Sequence, residues 1–128
     1  MNPNLLPAAL LLARLLMSSI FLISGLSKLS HPDAVAAYMQ ASGVPAALLW
    51  PTVAFELAAA ALLIAGFATR ATGALLAGFC VVTALLFHAN LGDQIQQLMF
   101  LKNLVMAGGF LALAVAGAGR WSLDGRRS

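Results

Sequence analysis

Charge is what this sequence has least of. Its 128 residues include seven Lys and Arg and four Asp and Glu. Charged residues make up 9% of the chain, against about 25% in a soluble domain. So few ionic groups leave a water-soluble globule without a surface, so lipid must face most of the exterior. The net charge of +3 and the sequence pI near 9.8 do not indicate a nucleic-acid partner. Arg14 and Lys102 lie inside apolar runs, and the other basic residues form no long stripe. Cysteine is nearly absent as well. Cys80 stands alone in an apolar run, which excludes an internal disulfide or a CxxC pair and suits a buried packing thiol. His88 has no second His or Cys at metal-ligand spacing, so no metal site is read. Phosphate loops, nucleophile elbows and catalytic triads are also missing. No basic n-region precedes the first apolar run, which is therefore expected to be retained as a membrane span rather than removed as a leader.

Apolar side chains make up 62% of the chain, and mean hydropathy is +0.95. They fall into four runs: Leu5–Leu29, Ala46–Phe67, Ala71–Ala89 and Leu98–Gly117. Each is close to the ~20 residues that cross a ~30 Å hydrocarbon core as a helix. The runs are Leu- and Ala-rich without alternation, and only helices satisfy their own backbone in lipid. Ser30-His31-Pro32-Asp33 ends the first run and reads as a helix start. A short helix then covers Asp33–Ser42, closed by Gly43 and Pro45, and suits the membrane interface. The expected fold is all-α, a polytopic four-helix bundle with one interfacial helix between spans one and two, in one domain over residues 1–128. Arg70, Arg120, Arg126 and Arg127 share the side of both termini, while Asp33 and Asp93 lie opposite. The positive-inside rule then puts both termini in the cytoplasm.

Polar residues inside spans are costly and by default face a bundle interior or a cavity. In the first span Arg14, Ser18, Phe21, Gly25 and Lys28 are spaced 4-3-4-3, one stripe on a helix in a left-handed bundle. Gly25 on that stripe is expected at a helix contact. Glu56 sits near the middle of span two. Counting axial rise makes Arg14 its first-choice partner, with Lys28 or Lys102 second. His88, Lys102 and Asn103 fall at a depth similar to Lys28. Together they would form a basic, hydrogen-bonding mouth suited to an anion, a quinone carbonyl or another electron-rich head group. The plainer reading makes Arg14–Glu56 a bolt between helices, lets both lysines snorkel to head groups, and leaves His88 an interfacial hydrogen-bonder.

The ordered set formed by Arg14, Phe21-Leu22-Ile23-Ser24-Gly25-Leu26-Ser27-Lys28-Leu29, Glu56 and Gly66-Phe67-Ala68-Thr69-Arg70 resembles the DoxX family of bacterial membrane proteins. The ending Gly119-Arg120-Trp121-Ser122-Leu123-Asp124 is similar too, so the resemblance spans Leu10 to Asp124. It implies a four-helix protein of the bacterial inner membrane, with Arg14, Gly25, Lys28 and Glu56 as family positions. It also implies a link to thiosulfate:quinone oxidoreduction, to redox-stress complexes or to the maturation of other proteins. With Cys80 alone, this chain departs from any dithiol mechanism.

Two functions compete. One is a redox-linked accessory subunit whose polar interior receives a quinone or another small organic ligand. The other is a non-catalytic membrane scaffold or assembly partner, working with a protein partner or as a homo-oligomer. A transporter is weaker, because four short spans without broken helices offer little alternating-access machinery.

Overall fold

A computed structural model describes residues 1–127. Its helices are α1 Leu5–Ser30, α2 Pro32–Ala41, α3 Leu49–Ala65, α4 Thr69–Phe87 and α5 Gln94–Ala116. A 3₁₀ turn, Ala46–Leu48, runs into α3, so the second long apolar segment is Ala46–Ala65. No strand occurs among the described residues. Four of these segments are long and apolar enough to cross a membrane, at 26, 20, 19 and 23 residues.

The helix ends differ from the sequence expectation for identifiable reasons. Span four begins at Gln94, not Leu98, because Asp93 caps it, its carboxylate accepting from Gln96 N–H at 3.0 Å. Polar Gln94, Gln96 and Gln97 therefore form the first turn ahead of the apolar run. Span three begins at Thr69, two residues early, and stops at Phe87, before His88. Span two ends at Gly66, whose φ of +69° is the left-handed cap that glycine supplies without strain. The interfacial helix opens on Pro32 behind an N-cap at His31.

α1 packs antiparallel along α3 and α4 along α5; the contact between these two pairs is much thinner. Gly73 sets the α4–α5 approach, since a Cβ there would stand 3.0 Å from the Phe110 carbonyl oxygen. The main core joins Phe21, Ala59, Ala60, Leu63, Leu76, Ala77, Cys80, Ala107, Phe110 and Leu113. It fills the half of the bundle nearer the chain termini, here the terminal end. At the opposite end, the loop end, α2 lies across the bundle. Met39, Val44, Leu49 and Val53 form a second cluster there, and Tyr38 stacks on Phe87 with centroids 5.5 Å apart. The outer faces carry exposed Leu16, Ile23, Leu75, Leu85, Val105 and Val115. Such a belt is a defect in water and the normal exterior in hydrocarbon.

Candidate functional site

The buried residues of α1 are Pro7, Arg14, Ser18, Phe21 and Gly25, so its inward face carries both charge and the closest helix approach. A Cβ on Gly25 would lie 2.6 Å from Leu57 Cδ2 of α3. Arg14 and Glu56 are not partners. The carboxylate of Glu56 instead takes Lys28, whose Nζ donates to both Oε1 and Oε2 at 3.1 Å and to Ser24 Oγ at 2.6 Å. Side-chain direction explains the correction. In a helix every Cα–Cβ bond leans toward the N-terminus. On α1 that carries the Arg14 side chain toward the terminal end, away from Glu56, and brings Lys28 in from the loop end toward it. Axial rise alone ignores this lean.

The loop end holds a cavity of about 400 Å³ between the two helix pairs, roofed by α2. Lys28 and Glu56 stand on one wall; His88, Lys102 and Asn103 stand on the other. Between them the walls are apolar, with Ile20, Phe21, Phe79, Val82, Leu86 and Met106 prominent. His88 Nδ1 is tied to Gln96 Oε1 at 2.8 Å. Buried Asn103 donates from Nδ2 to Thr83 Oγ1 at 3.2 Å, and Thr83 in turn donates to the Phe79 and Cys80 carbonyls. Lys102 makes no hydrogen bond or ion pair among the described residues. Of the polar residues singled out from the sequence, five meet at this cavity; Arg14 does not.

Arg14 organises the terminal end. It is fully buried, and its guanidinium donates to the Leu63, Ile64 and Trp121 carbonyls at 2.9, 3.0 and 2.6 Å. The last turn of a helix leaves four carbonyls without helical partners. In α3 all four are answered. Phe67 N–H donates to Leu62, Gly66 N–H and Arg14 to Leu63, Arg14 to Ile64, and Leu123 N–H to Ala65. Asp124 completes the closure by accepting from Ala68 and Thr69 N–H at 2.9 Å each, at the start of α4. Partial burial works to raise its carboxyl pKa. Hydrogen bonds from the Thr69 and Ala68 backbone, with the Arg127 charge, outweigh that and hold it below the usual carboxylate value. Arg70 donates to the Ala114 and Val115 carbonyls and so caps α5 in the same manner. Each cation sits at a helix C-terminus and the anion at an N-terminus, the signs the helix dipole favours. No sequence signal assigned Asp124 a role, because its acceptor partnership spans 55 residues of chain. Gln96 and Thr83, which hold the cavity's polar groups in place, were also missed; both look ordinary in sequence.

Four apolar helices and charges sequestered within them define a multi-pass membrane protein. A model of the DoxX family matches residues 9–89. The chain belongs to that family. It is 40% identical over 114 residues to the inner membrane protein YqjF of Escherichia coli K12, covering 89% of this chain and 88% of that protein. To the inner membrane protein YphA of the same organism it is 36% identical over 127 residues, with 94% and 91% covered. These relatives and the four apolar helices make it a multi-pass inner-membrane protein. No solved structure matches it at a significant level.

Proposed function

We propose that this chain is a redox-linked accessory subunit whose loop-end cavity receives the head group of a quinone or a similar small amphipathic molecule. The observation that supports this is the cavity itself. Its ~400 Å³ lies within the usual range for a ligand pocket, and its apolar walls converge on a few polar groups. Lys102, Asn103 and His88 are the residues that would hold a carbonyl-bearing ring, with Phe21 and Phe79 as its apolar walls. A quinone there would supply two-electron chemistry that the chain's own side chains lack. With Cys80 as the only thiol, electrons would come from a partner protein, and this chain would bind, orient and shield the ring. Protein purified in mild detergent should release a quinone, near one per chain, on extraction into organic solvent. Extracts holding phospholipid alone would overturn the proposal. The scaffold reading draws on Arg14, whose hydrogen bonds all go to backbone carbonyls.

We also infer that both termini are cytoplasmic, because Arg70, Arg120, Arg126 and Arg127 gather at the terminal end. Reporter fusions at the C-terminus and after Pro45 should then score on opposite sides. Scores on the same side would refute the arrangement.

A further inference from the structure

The charges at the cavity do not cancel. Two ammonium groups and one carboxylate face it, from Lys28, Lys102 and Glu56. Both Glu56 oxygens are engaged by Lys28, and Ser24 Oγ takes a further Lys28 hydrogen bond, so that pair is closed. Lys102 has no counterpart: among the described residues no carboxylate lies within ion-pair distance of it. Asp93, on the same helix, is turned to the Gln96 N–H. Although exposed, Lys102 borders apolar walls, and an anion seated between them meets its charge at a lower effective dielectric than in bulk water. Beside it, Asn103 has one Nδ2 hydrogen bond to Thr83, and His88 leaves Nε2 without a protein partner among the described residues. The volume accommodates one head group with part of a single chain, whereas a two-chain phospholipid exceeds it.

We propose that the loop-end cavity binds a single-chain amphiphile with a monoanionic head, and that Lys102 is the residue that selects its charge. The inference rests on the reading of this cavity as a ligand site, and adds that an acidic head group competes with a neutral quinone for it. The head seats against Lys102 and Asn103, and the chain runs between Phe21, Phe79 and Met106. Lys28 does not substitute for Lys102, because its charge is already neutralised by Glu56.

The test is equilibrium binding of radiolabelled palmitate and hexadecanol to the full chain in nanodiscs of zwitterionic lipid, with decylubiquinone as competitor. The two probes share a chain and differ in head charge. Wild type should prefer the acid by about tenfold or more, and palmitate should displace the quinone. Lys102→Gln should erase the preference, bringing palmitate down to the affinity of hexadecanol, and Lys102→Arg should keep it. Lys102 is exposed, so both variants should melt like wild type. Equal binding of acid and alcohol by wild type, or a preference that survives Lys102→Gln, overturns the charge-selection proposal while leaving the cavity a ligand site. No saturable binding of acid, alcohol or quinone overturns both. If Lys102→Gln alters only the retention of anionic phospholipid, Lys102 is a boundary-lipid contact and the proposal fails.

Discussion

Exchanging single charges in the bundle separates the two charged constellations. The Lys28 side chain is 21% exposed and that of Glu56 only 5%. Removing either partner strands the other, and the more deeply buried one has less relief. In Glu56→Gln, Lys28 keeps Ser24 and sits two residues from the end of α1. It can swing toward the interface, so a loss of about 1–3 kcal/mol is expected. In Lys28→Met the carboxylate keeps no cation, and the loss should reach about 3–5 kcal/mol at neutral pH. The double variant Lys28→Met/Glu56→Gln leaves no ion and should recover most of it. Arg14→Met combined with Glu56→Gln should instead add to within about 0.5 kcal/mol, since the two share no partner. The assay is unfolding by SDS titration in mixed micelles, for wild type and all five variants. Coupling between Arg14 and Glu56, with additivity between Lys28 and Glu56, would refute the pairing and the argument from side-chain direction together.

The terminal end gives a pH signature: the Asp124 carboxyl is held below its usual value of ~3.9, so its contribution is present above about pH 4 and lost as the pH falls through that lowered value. The stability gap between wild type and Asp124→Asn, read by melting in detergent, should therefore be open at pH 7 and shrink progressively as the pH falls below about 4; a gap that widens in acid would contradict the capping role. Gly66→Ala should cost at least ~2 kcal/mol in the same melting assay, because a left-handed φ is combined with a Cβ placed against Ser122 Cβ and 2.6 Å from Arg14 Nη1. Gly43→Ala, with φ of +78° and nothing within 4 Å, should cost only the conformational ~1 kcal/mol, and equal losses would mean that Ser122 and Arg14 both yield freely. Gly25→Leu should lower the melting temperature far more than Leu26→Ala, since Gly25 abuts Leu57 while Leu26 is exposed; similar shifts would place the α1 face wrongly.

The transmembrane layout was legible because lipid enforces it. Twenty Leu- and Ala-rich residues between turn signals have one stable conformation in hydrocarbon, and the four runs became four helices. The 4-3-4-3 stripe was equally direct, since period fixes which side of α1 turns inward. Two things lay beyond that logic. Span four starts four residues before its apolar run because Asp93 caps it, so a cap outranked hydropathy. Pairing of Glu56 depended on which way long side chains lean on antiparallel helices, a property carried by chain direction and absent from a depth count. Counting from the loop end did put Lys28, His88, Lys102 and Asn103 at one depth, and all four line the cavity. That the cavity exists follows from the thin contact between two tightly paired hairpins, which no residue pattern announces.

The two ends of the bundle treat charge differently, and α1 carries both treatments. A charge inside a membrane protein must be compensated, and the kind of compensation limits what it can do. Arg14 is answered by three backbone carbonyls and Asp124 by two backbone N–H groups. Backbone partners cannot rotate away, so these groups are held in place. At the loop end the partners are side chains, which turn through staggered rotamers at modest cost. Lys28 and Glu56 answer one another, and Lys102 has no hydrogen-bond or ion-pair partner among the described residues. Lys102 is exposed yet lines the cavity, so its charge is one that a further group can still answer there. The terminal end is therefore where substitutions should read out as stability. Lys102 is where they should read out as binding, with little change in the melting temperature.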